Sequence, residues 1–435
     1  MADHSLRGEC LRYVSMNVLG MLGLSCYILA DTWFVARGLG ADGLAALNLA
    51  IPVYSFIYGS GLMVGMGGAT KYALLRGAGE HRKAQGIFTK SVIFALVLAV
   101  LYMLTGAFGA GKLASLLGAE GTVYPMTTIY LKVILLFAPA FLLNNVLLCF
   151  VRNDGGPRLA MTAMVSGSLA NIVLDYVFIF PCGMGIFGAV LATGFAPVLS
   201  MAILSRWFLG RHNTFQISRT GLGPRAAWEI AALGVSSLIS EVSAGVVMIV
   251  FNLLILELEG SVGVAAYGVV ANLSLVLMAI FTGVGQGIQP LVSRCCGAGE
   301  RDRGRQVYRD ALLAAEGFAV LIYVLIALFA GPIAGAFNGE GNIQLQEIAS
   351  AGLRLYFLAL PFAGYNVISA LYHSAVDQPD RAFLISVLRG FLLILPLAFF
   401  MAWQWGMTGV WLAFPAAEGG TALIALLAGG LRHRR

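Results

Sequence analysis

Two carboxylates stand in otherwise apolar stretches of this sequence, and each has a polar side chain one helical turn before it. Tyr27 precedes Asp31 by four residues, and Asn171 precedes Asp175 by four, so each pair would share one helix face. A carboxylate left alone in lipid costs several kcal/mol, so an acid in such a place points to a function. Two carboxylates in a low-dielectric pocket favour binding of a proton, and carboxylate, amide and hydroxyl oxygens together suit a small cation. The sequence therefore predicts an ion site, with a Na⁺ version formed by Asp31, Asn171, Asp175 and Thr193.

The elements that carry these residues must be membrane helices. Of the 435 residues, 59% are hydrophobic and only 11% are charged, and the mean hydropathy is +0.86. A soluble chain would carry about a quarter charged residues. The apolar residues also occur in runs long enough to cross a bilayer as helices, so we expect a polytopic membrane protein in contact with lipid. In a membrane protein, the net charge of +6 reflects which loops face the cytoplasm, so it does not indicate a nucleic-acid partner, and we expect none.

Twelve apolar segments are predicted to span the membrane. They lie near residues 13–36, 44–70, 88–110, 127–150, 158–181, 186–209, 227–254, 262–290, 308–331, 347–372, 381–402 and 408–430. The two acids then have matching depths, since Asp31 lies roughly 27 Å along the first span and Asp175 roughly 26 Å along the fifth at 1.5 Å per residue. Thr193, on the sixth span, falls near the same depth. Pro139 should bend the fourth span just before Asn144 and Asn145.

The cations sort strongly to one side of these spans. All but four of the 27 Lys and Arg residues lie on the side of the N-terminus, the exceptions being Arg37, Lys112, Lys132 and Arg354. Positive charge marks the cytoplasmic face. We therefore expect a protein of the cytoplasmic (inner) membrane with both termini in the cytoplasm.

The chain also contains an internal repeat. GAGE occurs at 77–80 and again at 297–300, and the residues around the predicted loops after the first and seventh spans recur at the same separation. Two halves with six spans each would have the same orientation, which is typical of transporters with the substrate path between the halves. We predict an N-terminal lobe at 1–215 that contains the ion site and a C-terminal lobe at 216–435.

The sequence resembles the MATE (multidrug and toxic compound extrusion) family over essentially its whole length. The resemblance is carried by DTWFVARGLGADGLAALNLAIP at 31–52, by NIVLDYVFIF and GIFGAVLAT within 171–193, and by GVGQGIQPLVSRCCGAGE at 283–300. It implies an all-α membrane protein with twelve transmembrane helices in two pseudo-symmetric six-helix lobes around a V-shaped cavity. It also implies export of small organic cations in exchange for H⁺ or Na⁺, without a cofactor, and we expect a monomer.

The resemblance also assigns site residues. One MATE branch has an ion site in its N-terminal lobe, and its residues match Asp31, Tyr27, Asn171, Asp175, Asn144, Asn145 and Thr193. Another branch keeps an Asp in the tenth span, but that span here reads GLRLYFLALPFAGYNVISALYH and has none. Glu241 is similar to a seventh-span Glu of that branch at a shifted spacing, so we expect it only as a substrate contact. Aromatic and methionine side chains of the second span could complete the cavity wall: Tyr54, Phe56, Tyr58, Met63 and Met66.

The repeat provides an internal comparison for the polar cluster. At separations of 220 or 221 residues, Asp31, Asp175 and Thr193 correspond to Phe251, Pro396 and Phe414. Residues needed only to fold a repeat should tend to occur in both halves. The cluster therefore indicates a function rather than a structural requirement.

Other classes of protein remain to be weighed. A receptor or a channel would have similar hydropathy, but a two-lobe repeat with an acid cluster in one half fits neither well. A lipid-linked oligosaccharide flippase of the same superfamily would share the fold, but its cavity should carry cations for pyrophosphate, and the cations within the spans, among them Lys132, Arg354 and Arg389, are predicted near span ends. An intramembrane enzyme would need a metal cluster or a nucleophile with its base. The five histidines lie in predicted loops or near span ends, so we expect no enzyme.

Overall fold

The computed structural model describes residues 2–338 and 341–430, and the described residues are almost entirely helical. The C-terminal Arg432, Arg434 and Arg435, which contribute to the predicted topology, lie outside the described residues. The helices are α1 (Ala2–Gly77), α2 (His81–Leu116), α3 (Val123–Leu136), α4 (Ala138–Asn153), α5 (Pro157–Ile179), α6 (Gly185–Leu204), α7 (Arg206–Leu209), α8 (Pro224–Gly297), α9 (Arg301–Leu328), α10 (Ala330–Phe337), α11 (Ile343–Tyr356), α12 (Leu360–Ala375), α13 (Pro379–Val387) and α14 (Ile394–Gly430). A 3₁₀ turn, Phe357–Ala359, joins α11 to α12, and a π-helical turn, Leu388–Leu392, follows α13.

Three of the long helices are broken by a glycine. Gly40 in α1, Gly260 in α8 and Gly406 in α14 have φ values of 68°, 64° and 55°, which side chains other than glycine rarely adopt. Each break falls in a gap between two predicted spans. Gly40 and Gly260 also share a ψ of −156° and lie 220 residues apart, so the repeat seen in the sequence is present in the backbone.

The described residues contain eight apolar helical segments long enough to cross a membrane. Dividing three of them at the glycine breaks gives eleven crossings, and the bent pair α3–α4 supplies a twelfth. The bend in that pair is 46° and lies directly before Pro139, as the sequence predicted. The count agrees with the twelve predicted spans. We call α1–α7 the N-terminal half and α8–α14 the C-terminal half; residues 210–223, which join them, are not helical.

Glycines bring the two halves into close contact along α1 and α8. A Cβ on Gly67 would lie 1.9 Å from the carbonyl oxygen of Ile230, and a Cβ on Gly234 would lie 1.9 Å from that of Met63. The repeat generates a second contact of the same kind, in which Gly287 lies against Val14. Near these contacts the halves also share buried hydrogen bonds. Arg152 donates to Gln286 at 3.0 Å, and Asn17 donates to the Gly283 carbonyl at 2.9 Å.

Candidate functional site

The two acids predicted from the sequence meet between α1 and α5 of the N-terminal half. Small residues on α1 let the helices approach, since Gly20 lies against Met164 and Gly23 against Val165. Asp175 is fully buried, and Asp31 is 7% exposed. Their carboxyl groups lie within hydrogen-bonding reach of each other. Two ionised carboxylates so close together repel strongly, so this arrangement needs a proton or a cation.

Asn171 and Thr193 complete the cluster. With its amide oriented to satisfy both neighbours, Asn171 donates from Nδ2 to Asp175 Oδ2 at 3.0 Å and accepts at Oδ1 from the Thr193 backbone N–H at 3.2 Å. Thr193 Oγ1 donates to the Ala189 carbonyl at 3.1 Å. The structure therefore brings together all four residues of the predicted Na⁺ version of the site, from α1, α5 and α6.

Sequence reasoning missed one member of this cluster, Tyr130 of α3. It is buried, and its hydroxyl is within hydrogen-bonding reach of the Thr193 side chain. Its only sequence signal was a hydroxyl inside an apolar span, which several other tyrosines share.

Two carboxylate oxygens in the cluster still lack a donor. Asp31 Oδ1 and Asp175 Oδ1 are buried and have no hydrogen-bond partner among the described residues. A buried polar atom without a partner costs about 1–3 kcal/mol, and more if it is charged. These oxygens are therefore the acceptors at which a proton or a small cation would bind.

Tyr27 connects the acids to the centre of the molecule. It lies beside Asp31, and its hydroxyl shares a 2.8 Å hydrogen bond with the hydroxyl of Tyr54. The Tyr54 ring stacks on Tyr58, with centroids 5.8 Å apart, and meets Phe141 edge-on. A continuous set of aromatic contacts thus runs from the acid pair toward the C-terminal half.

The two other asparagines predicted for the site, Asn144 and Asn145, belong to α4. Asn145 is buried against Gly61 and Gly65 of α1 and donates to the Phe141 carbonyl at 3.2 Å. Asn144 is partly buried, and its Oδ1 has no partner among the described residues. No described contact joins either asparagine to Asp31 or Asp175. Both follow the bend at Pro139, and Asn145 packs against α1.

A cavity of about 320 Å³ lies between the two halves. Tyr54 and Tyr58 line it from the N-terminal half and Glu241 from the C-terminal half, and their role as substrate contacts stays a prediction. The predicted wall residues Met63 and Met66 do not line it. The Met63 carbonyl lies against Gly234, and Met66 Sδ accepts a hydrogen bond from Arg152 at 3.1 Å. They contribute to the packed interface between the halves.

The C-terminal half has aromatic rings where the N-terminal half has the acid cluster. Phe251, the counterpart of Asp31, stacks on Tyr267 with centroids 5.8 Å apart and meets Tyr356 edge-on. Phe414, the counterpart of Thr193, stacks on Tyr356 with centroids 4.4 Å apart. The fold is duplicated, and the polar chemistry is not.

Arg389 has a different place from the one expected. The sequence placed it near the end of a span, but it lies on the π-helical turn and lines the cavity. Its helix begins at Pro379, so Arg389 lies nearly three turns inside the span. The π-helical turn places Arg389 Nη2 2.7 Å from the buried Glu418 Oε1.

Comparison with known proteins assigns the fold. The MatE family model matches residues 18–177 and 237–400, about three quarters of the chain. The chain is 26% identical over 412 residues to the multidrug export protein MepA of Staphylococcus saprophyticus, covering 94% of this chain and 90% of MepA. It is 27% identical over 427 residues to an FAD transporter of Shewanella oneidensis, covering 94% and 91%.

Solved structures have the same architecture. An outward-facing multidrug resistance MATE transporter of the MOP superfamily superposes with a TM-score of 0.90 at 24% identity, covering 98% of this chain and 95% of that one. A MATE structure in complex with MaL6 gives a TM-score of 0.91 at 24% identity. At this identity the likeness shows the two-lobed fold.

Proposed function

The chain belongs to the MATE family, whose members are transporters rather than enzymes, and from this premise we propose that it is a multidrug exporter driven by H⁺ or Na⁺. The observation that carries the proposal is the buried pair of Asp31 and Asp175, in contact with the central cavity through Tyr27 and Tyr54. The pair provides an ion site, and the cavity provides a place for the substrate.

The cavity chemistry favours small organic cations as substrates. Glu241 lines it beside the aromatic rings of Tyr54 and Tyr58, and a cation is attracted both to a carboxylate and to the face of a ring. The MepA relatives are multidrug export proteins, which supports small molecules as the substrates of this chain.

Exchange follows if the ion and the substrate favour opposite-facing states. Binding of either H⁺ or Na⁺ would cancel the repulsion between Asp31 and Asp175, and Tyr27 would transmit the resulting change of α1 to Tyr54 in the cavity wall. A ligand shifts a conformational equilibrium only through a difference in its affinity for the two states. The ion therefore has to bind one facing state more tightly, and the drug the other.

We further propose that the protein is a monomer in the inner membrane with both termini in the cytoplasm. The GAGE turns then lie on the cytoplasmic side, where the described contacts between the halves are tight. This arrangement would leave the cavity facing outward, ready to release a drug and accept an ion.

A lipid-linked oligosaccharide flippase is the alternative, and the cavity charges argue against it. Arg389 is the one Lys, Arg or His side chain among the described residues that line the cavity, and it is paired with Glu418. With Glu241 included, the wall carries more acidic than basic groups. A pyrophosphate would meet net repulsion there.

The test is export of a fluorescent cationic dye such as ethidium by the purified protein in proteoliposomes under an imposed H⁺ or Na⁺ gradient. We expect Asp31→Asn and Asp175→Asn each to abolish gradient-driven export while expression and folding are retained. Glu316→Gln is the matched control, because this acid also lies within a membrane helix but outside the cluster. It should export as the wild type does. Wild-type export by both aspartate variants would refute the proposed site.

A further inference from the structure

The C-terminal half contains a second buried polar group, centred on Glu418 of α14. Glu418 is 1% exposed, and its Oε1 accepts from Arg389 Nε at 3.1 Å and from Arg389 Nη2 at 2.7 Å. Its Oε2 accepts from Asn366 Nδ2 at 2.7 Å. The carboxylate is therefore held on both sides and stays in place.

The guanidinium of Arg389 has two edges that can bind an acceptor. Glu418 occupies the edge formed by Nε and Nη2. The other edge, formed by Nη1 and the second N–H of Nη2, has no hydrogen bond among the described contacts, and Arg389 lines the central cavity. An arginine with one edge fixed by a carboxylate is oriented to bind a second planar acceptor with the other.

Two further observations indicate that this group is more than a packing device. Arg389 and Glu418 correspond in the N-terminal half to Ser168 and Pro197, so the pair is absent from the other repeat. Replacing a buried ion pair with apolar residues is often neutral or stabilising, so stability alone does not explain it. Arg389 also lies on the π-helical turn Leu388–Leu392, and π-helical turns are frequent at functional sites of proteins.

We propose that the free edge of Arg389 is a subsite that selects substrates carrying a carboxylate in addition to their cationic group. Glu241 would face the cationic group, and the two residues lie on adjacent walls, since Gly390 packs on Ser243, two residues along α8 from Glu241. A cavity with one available cation and an excess of acid fits a zwitterion better than a dianion. The proposed role of Arg389 rests on the proposed export function and extends it.

The experiment uses a rhodamine with a free carboxylate and its methyl ester, which share the cationic ring system and differ at the carboxylate. Export of both is measured with the purified protein in proteoliposomes. The wild type should export both dyes. In Arg389→Gln/Glu418→Gln, which removes both charges together, export of the free acid should fall about tenfold or more while export of the ester is unchanged.

Arg389→Lys separates recognition from a structural role. Lysine can still neutralise Glu418, but its ammonium has no second planar edge. We expect this variant to fold and to export the ester, and to lose the free acid to a similar degree. Wild-type export of both dyes by either variant, or an equal loss of both dyes in both variants, would overturn the subsite.

The wild-type results keep the two proposals apart. If the wild type exports neither dye, the result contradicts the proposed export function and, with it, the Arg389 subsite. Export of the ester but not of the free acid would overturn the Arg389 subsite alone.

Discussion

A single methyl group at the contact between the halves should change which side of the protein is open. A Cβ on Gly67 would lie 1.9 Å from the Ile230 carbonyl oxygen, and that oxygen belongs to a helix backbone, which cannot rotate away. To restore a contact of 3.0–3.4 Å, the two helices must separate by about 1.1–1.5 Å. We therefore predict that Gly67→Ala favours the state in which the halves are apart at this end.

The size of the effect follows from the cost of overpacking. An extra methylene in a well-packed contact costs typically about 1–3 kcal/mol. Because only the closed arrangement of this end bears that cost, the ratio of the two facing states should change by about 5- to 150-fold. Alanine favours helix formation over glycine by about 0.8–1.0 kcal/mol, so a loss of helix stability is not expected.

The assay is a distance measurement between spin labels at Lys83→Cys and Arg303→Cys, which are counterparts in the repeat and lie at the same end of the two halves. Gly268→Ala is the matched control, because a Cβ there meets nothing within 4 Å. Gly67→Ala should increase the population with the longer distance and slow dye export, and the control should do neither. Identical distance distributions in the two variants would refute the idea that this contact sets the facing state.

Two further predictions concern the coupling ion and the topology. Asn171→Ala removes the donor to Asp175, and Thr193→Ala removes a neighbouring hydroxyl, so if Na⁺ is the coupling ion, each should weaken Na⁺-driven export about tenfold. If H⁺ is the coupling ion, they should mainly change the pH dependence of export; wild-type export that ignores both gradients would contradict ion coupling altogether. A cysteine added at the C-terminus of a cysteine-free variant should resist impermeant thiol reagents in intact cells, whereas Glu120→Cys, in a predicted outer loop, should react. The reverse labelling pattern would contradict the predicted topology.

Much of the candidate site could be predicted because lipid makes polar residues conspicuous. Asp31, Asn171, Asp175 and Thr193 stood out as polar groups at matching depth on three different spans, and the structure brings them together. The depth of a residue in the membrane follows from counting residues at a fixed rise per residue. It can therefore be predicted without knowing how the helices pack. Gly40 and Gly260 lie in equivalent gaps of the repeat, but their recurrence alone did not indicate that the helices would break there.

Features that depend on which way a helix faces could not be predicted in this way. Tyr130 looked like any other tyrosine in an apolar span, and Met63 and Met66 could equally have faced a cavity or a neighbouring helix. Arg389 is the clearest case. Its depth counted from the span end gave no sign of the π-helical turn that carries it to Glu418 and to the cavity. Assigning these faces requires knowing where the other half packs.

Ion-coupled export needs an element that touches the ion site, the substrate cavity and the contact between the halves, and α1 touches all three. Its first part carries Asp31 and Tyr27. Val14 and Asn17 of the same part contact α8 at Gly287 and at the Gly283 carbonyl. Its second part carries Tyr54 in the cavity wall and packs on α8 at Gly67 and again at Gly77. The 2.8 Å hydrogen bond between Tyr27 and Tyr54 joins the two parts across the break at Gly40. In the proposed mechanism, a change of charge at Asp31 therefore acts on the same helix whose packing at Gly67 we predict to set the facing state.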